Sequence, residues 1–413
     1  MRVKASLIAL LAALPLATAP LPAAADGGRW GGGWATAVQQ PTATPWFPNW
    51  SQQGFDNHSV RQVIRTSVAG THLRIRLSNA YGTAPLRLTG ASIAKPAIGA
   101  AVRPGTIRPL TFARSASVTV PAGGQAASDP VRLPVRALEQ LTVTLYFQGT
   151  TGPATFHSIA MATSYRAKGD QVRDAGGAAF TETSLSRYYL SGLDVSGRKD
   201  TVVTFGDSIT DGYGATNDAD DRYPDRLAER LAASGTPVLN AGIGGNRVLN
   251  DSACFGEKAT VRFRRDALAQ PGVRTVIVLE GINDILFAQD TSACAAPNPR
   301  VSANELIDGH RALIRAAKSR GVRVVGGTLP PFKGSALYSE YGESVRQAVN
   351  HWIRTGAEYD AVADFDRALA NPDPRHAGEL LPAYDSGDRL HPSPAGYQAM
   401  ADAVDLSTVT SRR

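Results

Sequence analysis

Between the glycine-rich stretch Gly27–Gly33 and about residue 195, apolar and polar positions alternate with period two. Leu73, Ile75 and Leu77 alternate with Arg74 and Arg76, and Leu141, Val143, Leu145 and Phe147 with Thr142, Thr144 and Tyr146. Leu86-Arg87-Leu88 and Val118-Thr119-Val120 are shorter pieces of the same pattern. Such alternation marks strands with one face buried. Turn sequences punctuate them, among them Asn79-Ala80-Tyr81-Gly82, Pro121-Ala122-Gly123-Gly124 and Gly149–Gly152. No long helical pattern interrupts the series, so the segment predicts an all-β antiparallel sandwich, jelly-roll-like in its many short strands.

From Asp200 the rhythm changes. Predominantly apolar stretches at Val202–Phe205, Val238–Asn240, Thr275–Leu279, Val322–Gly326 and Ala361–Phe365 predict buried strands. Helical stretches separate them, near Ala259–Ala269, Ala303–Ser319, Glu340–Thr355 and Pro394–Val404. Another opens at Tyr223-Pro224-Asp225, sets Leu227 and Leu231 on one face and stops at Gly235. Alternation of strand and helix implies right-handed crossovers and a parallel sheet covered on both faces, an α/β class. The chain therefore divides into residues 26–195, the sandwich, and 196–413, the α/β unit.

Residues 1–25 have another character. Arg2 and Lys4 precede an apolar run from Ala5 to Leu16, and Ala23-Ala24-Ala25 offers small residues for cleavage before Asp26. This is the layout of a secretory signal peptide and predicts a secreted, extracellular protein. An uncleaved anchor is the other reading, against which the run falls short of the roughly 20 residues of a span. No later stretch is long and apolar enough to cross a membrane. Net charge is +7 and becomes +5 once Arg2 and Lys4 are removed. The arginines are scattered rather than gathered in a stripe, so no nucleic-acid partner is expected. The two cysteines, Cys254 and Cys294, are most simply a disulfide in an exported protein, two free buried thiols being the alternative. Seven unclustered histidines and the absence of His-Glu-x-x-His leave no metal or other cofactor expected.

Candidate chemistry begins where the first apolar run of the α/β unit ends in Gly206-Asp207-Ser208-Ile209-Thr210-Asp211. A strand placed there delivers Ser208 to the carboxyl edge of the sheet, the usual site position in open α/β folds. In chain order follow Asn240-Ala241-Gly242-Ile243-Gly244-Gly245-Asn246, then Gly281-Ile282-Asn283-Asp284, then Asp388-Arg389-Leu390-His391-Pro392. A hydroxyl is a weak nucleophile without a base to take its proton. His391 is the candidate base and later acid, and Asp388, three residues earlier, can orient its imidazole within one short turn. Each motif alone has a plain reading: a turn serine, a capping Asp–His pair, glycines at a strand end.

Together the four blocks resemble those of the SGNH, or GDSL-type, serine esterases and acylhydrolases, over residues 200–405. The resemblance implies a three-layer α/β/α hydrolase domain; several secreted members carry a β-sandwich ahead of it. It implies an acyl-enzyme on Ser208, a catalytic set Ser208, Asp388 and His391, and an oxyanion hole from the Ser208 and Gly245 backbone N–H groups and the Asn283 amide. Gly244 is an alternative donor; the match of Asn-x-Gly-Ile-x-Gly favours Gly245. Ile209 stands where the signature carries Leu, and Glu280-Gly281-Ile282-Asn283 places its glycine at a different offset from many members. The Gly-x-Ser-x-Gly elbow of another esterase fold is absent.

The remaining features admit plainer roles. Asp207 reads as a turn residue. Asp218, Asp220 and Asp221 lack the regular ligand spacing of a calcium loop and read as solvating a loop ahead of a helix amino terminus. His58 and His157 read as satisfied structural groups. Trp30, Trp34, Trp46 and Trp50 suit either core packing or a sugar-stacking platform, packing being favoured. Tyr213, Arg247, Phe287 and Phe332 lie near predicted carboxyl-edge loops and are candidate pocket linings. The expected function is a secreted esterase acting on short-acyl, acetyl-type esters of polysaccharides, an expectation resting on architecture and analogy. The alternatives are an acylhydrolase of lipase or phospholipase type acting on longer-chain lipid esters, and a carbohydrate-binding surface protein with an idle hydrolase domain.

Overall fold

The computed structural model describes residues 30–43, 47–197 and 200–410. The expected signal peptide and Trp46 lie outside the described residues.

The α/β half is built on five parallel strands, β1 (Thr201–Gly206), β2 (Val238–Gly242), β3 (Val273–Leu279), β4 (Arg323–Gly327) and β5 (Ala361–Ala363). Their order in the sheet is β2-β1-β3-β4-β5. Every residue of β1 is buried, as expected for a strand covered on both faces. Helices Tyr223–Leu231, Phe365–Leu369 and Pro394–Ala403 pack together as one layer, and Ala259–Phe263, Ala303–Lys318 and Glu340–Thr355 as the other. The result is the three-layer α/β/α arrangement. The chain leaves β1 for β2 on one side and later sets β3 on the other. Loops diverge at that point, and a crevice opens at the carboxyl end of β1.

Two predicted elements differ in extent. The last strand was expected to reach Phe365 but stops at Ala363, because the Asp364 side chain accepts the Arg367 N–H and opens a helix. The stretch expected as one helix over 259–269 is α-helical to Phe263 and widens into a π-type turn over Arg264–Leu268.

The amino-terminal half is two stacked antiparallel sheets. One contains Trp30–Ala35, Leu190–Ser196 and Gly70–Ser78, with Gln125–Ala127 and Val131–Val135 on the far edge of the last. The other runs Glu182–Ser184, Ser164–Lys168, His58–Arg65, Gln140–Phe147, Gly90–Ala94 and Arg108–Pro109. Leu73, Ile75, Leu77, Leu141, Val143, Leu145 and Phe147 meet in a single core between them. Thr142 and Thr144, on the opposite face, are buried as well. Buried Arg61 explains this. It bonds the Thr144 hydroxyl and the carbonyls of Ala100, Gln171, Asp174 and Gly176, drawing loops over that face. Trp50 is buried, stacked 5.3 Å from Tyr188, and Trp34 lies under the Arg187 guanidinium. Neither ring offers a free face to a sugar.

The halves are fused along a broad seam. Strand Trp30–Ala35 runs against β2, and Ala35 and Ala37 belong to the α/β core rather than the sandwich core. A Cβ on Gly32 would lie 2.6 Å from the Leu239 side chain. Arg65 pairs with Glu229 at 2.9 Å, and the Tyr81 hydroxyl donates to Glu257 at 2.7 Å. Of the three acids in the loop ahead of the next helix, Asp221 braces the loop itself, accepting the Thr216 N–H at 3.0 Å, while the other two reach across the seam. Asp218 accepts from the Thr163 N–H and hydroxyl, both at 2.6 Å, and Asp220 from Gln140 at 2.7 Å, so these carboxylates dock the sandwich. It is Asp225 that serves the helix amino terminus, bonding the Arg222 N–H and side chain.

Candidate active site

The strand β1 ends in a cap. The Asp207 side chain accepts the Ile209 N–H at 2.9 Å and starts a short helix, Ser208–Asp211, with Ser208 as its first residue. Asp207 is thus the turn residue expected. Ser208 Oγ lies 2.8 Å from His391 Nε2, and His391 Nδ1 lies 2.6 Å from Asp388 Oδ2. The other Asp388 oxygen accepts the backbone N–H groups of Leu390 and His391, at 3.0 and 2.8 Å. Arg389 adopts φ +63°, which tightens the Asp-x-x-His segment into one turn. Burial opposes ionisation of Asp388, but the bond and charge of His391 and the two backbone donors outweigh it. Its carboxyl is held down to about 2. The Tyr213 ring packs 4.5 Å from the imidazole.

The glycine block forms the facing wall. Asn240 Nδ2 donates to the Thr210 carbonyl, and its Oδ1 accepts the Gly242 N–H, both at 2.9 Å. The Gly244 N–H is already engaged, donating to Asp211 Oδ2 at 3.0 Å. Gly245 has φ +72°, and a Cβ there would collide with the Phe255 ring, so only glycine fits. Asn283 donates one amide N–H to the Asn246 carbonyl at 3.0 Å. Ser208, Gly245, Asn283, Asp388 and His391 all line one cavity of about 190 Å³. The set is a hydroxyl with a base in reach, a carboxylate orienting that base, and polar groups grouped about the same space.

The cavity is otherwise largely apolar, walled by Phe47, Ile159, Tyr213, Phe255, Phe287 and Leu390. Tyr213 and Phe287 sit on the wall as expected. Arg247 and Phe332 do not. Arg247 is buried behind Phe287, spending its guanidinium on the carbonyls of Asp251, Ala295 and Pro297, and Phe332 is fully inside the core. Phe47, Ser158 and Ile159 come from the sandwich half, and no periodicity or motif in the sequence pointed to them. Cys254 and Cys294 form a disulfide that ties the loop after β2 to the loop after β3, with Cys254 on the cavity wall.

Beneath the site lies a further residue the sequence hid. Arg262 sits on a helix, where an arginine reads as surface, yet it is fully buried. It donates to the carbonyls of Gly206 and Ala241, both at 2.8 Å, to Asn246 Oδ1 at 2.7 Å and to Glu280 Oε1 at 3.1 Å. One guanidinium therefore joins the carboxyl ends of β1, β2 and β3. Burial pushes the neighbouring Asp207 carboxyl up to about 7 and Asp284 up to about 6, and raises Glu280 strongly. Asp284 uses its oxygens to fix the N–H groups of Val248 and Leu249, at 2.7 and 3.0 Å. Among the described residues, no group of three or more His, Cys, Asp or Glu side chains is placed to hold a metal.

Together with the family match of the region that carries them, the serine, imidazole and carboxylate at this edge make the protein a carboxylic ester hydrolase. Residues 204–399 match the GDSL-like Lipase/Acylhydrolase family. Solved structures similar to the chain include a GDSL-like lipase from Bacteroides thetaiotaomicron, 18% identical, covering 51% of this chain and 87% of that one, TM-score 0.38. Another is a catalytic mutant of Axe2, an acetylxylan esterase from Geobacillus stearothermophilus, 24% identical, covering 52% and 96%, TM-score 0.39. A third is the acetyl xylan esterase AlAXEase, 21% identical, covering 49% and 96%, TM-score 0.37. No curated protein matches the chain. Among the described residues, no helix is long and apolar enough to cross a membrane.

Proposed function

We propose that the protein is a secreted serine esterase that cleaves carboxylic esters through an acyl-enzyme on Ser208. The observation that carries the reading is the unbroken relay Ser208 Oγ, His391 Nε2, His391 Nδ1, Asp388 Oδ2, with steps of 2.8 and 2.6 Å. His391 takes the Ser208 proton as Oγ attacks the ester carbonyl, and Asp388 steadies the imidazolium. The oxygen that becomes negative is met by the Ser208 and Gly245 N–H groups and the free N–H of the Asn283 amide. His391 then protonates the departing alcohol, and water, activated by the same imidazole, releases the acid. The engagement of the Gly244 N–H by Asp211 supports Gly245 as the donor.

For the substrate, we propose short-acyl esters of polysaccharides. The compact cavity suits a small acyl group. A second reading, hydrolysis of longer acyl chains in lipids, draws on the apolar walls. Hydrolysis of p-nitrophenyl esters from acetate to palmitate, with Ser208→Ala in parallel, tests both. Activity is expected to peak at the short esters and to fall by at least ~10³-fold in the variant. A variant as active as the wild type would remove the mechanism, and a maximum at palmitate would replace the substrate.

A further inference from the structure

The oxyanion-side loop Gly242-Ile243-Gly244-Gly245 has one side chain in four residues, the buried Ile243, to anchor it by packing. A run of glycines gives its own peptides little to hold them, and their freedom must be removed from outside. Asn246 holds the far side, its N–H donating to the Ile243 carbonyl at 3.1 Å and its carbonyl accepting from Asn283 at 3.0 Å, and Asp211 holds the near side. Its Oδ2 accepts the Gly244 N–H at 3.0 Å, one residue before Gly245. Its Oδ1 lies 3.0 Å from Nε2 of His157, a sandwich residue buried at 3% exposure. The same Nε2 lies 3.1 Å from the Ile159 carbonyl. A ring nitrogen facing two acceptors carries the proton, so His157 donates to Asp211.

His157 is itself fixed. It pairs with Arg187 in a two-stranded ladder, and the next residue, Ser158, donates its N–H to Gln39 Oε1 at 3.0 Å. Ile159 completes the contact on the apolar side, its Cδ1 filling the space that a Cβ on Gly244 would need. The sandwich thus touches the glycine loop twice, through a hydrogen-bonded strut and through a packed methyl.

We propose that His157 is a positioning residue, holding Asp211 so that the Gly244–Gly245 peptides present their donor to the developing oxyanion. The strut rests on the acyl-enzyme reading above and adds that the sandwich half sets the geometry of the catalytic half. Preorganised donors act on the transition state more than on the bound ester. Losing the strut should lower kcat and leave KM nearly alone.

The experiment compares the full-length protein with His157→Phe, which keeps a ring and loses the donor, His157→Gln, which keeps an N–H donor, and Asp211→Asn, whose amide cannot accept from both His157 and Gly244. Steady-state hydrolysis of p-nitrophenyl acetate is measured for each, together with affinity for an alkyl trifluoromethyl ketone, which adds to Ser208 as an oxyanion. His157→Phe and Asp211→Asn are expected to lower kcat about 10–100-fold with KM changed less than about threefold, and to weaken the ketone by the same factor as kcat/KM. His157→Gln should recover to within about threefold of the wild type. A folded His157→Phe or Asp211→Asn with unchanged kcat would overturn the strut, as would a fall in kcat without matching loss of ketone affinity. Ser208→Ala in the same series separates the two claims. If it stays active the esterase mechanism fails, whereas an inactive Ser208→Ala beside an unimpaired His157→Phe removes only the strut.

Discussion

The two halves bury their sheets in opposite ways. In the α/β half all strands run in one direction, so their carboxyl ends, with the loops and glycine turns that follow, gather at one edge. In the sandwich neighbouring strands run antiparallel, and no edge collects the ends of all of them. That difference places chemistry. Ser208, Gly245 and Asn283 follow β1, β2 and β3 at one rim, each within a few residues of its strand. Among the described residues, the sandwich reaches the cavity by loops, through Phe47 and the segment from Ser158 to Ile159. It can wall a site and brace it, but it has no rim on which to assemble one.

The comparison is broken most drastically by removing one side of it. Deleting residues 26–197 would strip Ala35 and Ala37 from the α/β core, uncover β2 and take away Phe47, His157 and Ile159. The expected outcome is a chain with no measurable esterase activity and no cooperative melting transition, read by p-nitrophenyl acetate hydrolysis and circular dichroism. A soluble fragment retaining full activity would reduce the sandwich to an appendage.

This dependence explains what was legible in the sequence and what was not. The parallel strands read clearly because a strand buried on both faces is written as a mostly apolar, β-branched run without period-two alternation of charge, as in Val202 to Phe205 and Thr275 to Leu279. Helix ends read well where their signals are explicit, as with Pro224 in the first turn of the helix from Tyr223 and Gly235 after its last turn. The relay was traceable because Asp388 and His391 share one turn and Ser208 ends a strand. Arg262 was not, since nothing in a helical sequence says that an arginine points inward at three strand ends. His157 and Ile159 were not either. Their role depends on how two halves dock, and docking leaves no periodicity.

A smaller effect separates the halves by how their loops are held. The sandwich loops are stitched by strands on both sides, whereas the two cavity loops of the α/β half are joined by Cys254 and Cys294, 40 residues apart. Closing a loop of that length restricts the unfolded chain by about 4 kcal/mol in the chain-entropy account. Reduction, or Cys254→Ala with Cys294→Ala, should lower the melting temperature and loosen the cavity, with KM rising more than kcat falls. A melting temperature unchanged by reductant would show that packing of Phe255 on Phe287, 5.3 Å apart, already holds the loops.

The finest contrast is in buried charge. The sandwich meets its buried Asp194 with two arginines, Arg74 and Arg76, each at 2.9 Å. The α/β half has Asp207 and Glu280 share the single Arg262, and burial raises both. Burial raises the Asp207 carboxyl from its ordinary 3.8 up to about 7, so the folded protein keeps a proton that the unfolded chain gives up. The sign follows. This contribution to stability is fully present below about pH 4 and is lost as pH rises through about 7, with a slope of at most about 1.4 kcal/mol per pH unit for each proton. Asp388 has the opposite sign, since its carboxyl is lowered; its contribution is lost only as pH falls from about 4 to about 2, outside this window. Asp207→Asn keeps an oxygen to cap the Ile209 N–H and removes the titration. Its melting temperature should therefore decline less than that of the wild type between pH 5 and pH 8. Some slope will remain, because Glu280 and Asp284 are raised in the same direction. Parallel curves for the two proteins would mean that Asp207 is already ionised in the fold, with Arg262 compensating it as fully as the paired arginines compensate Asp194.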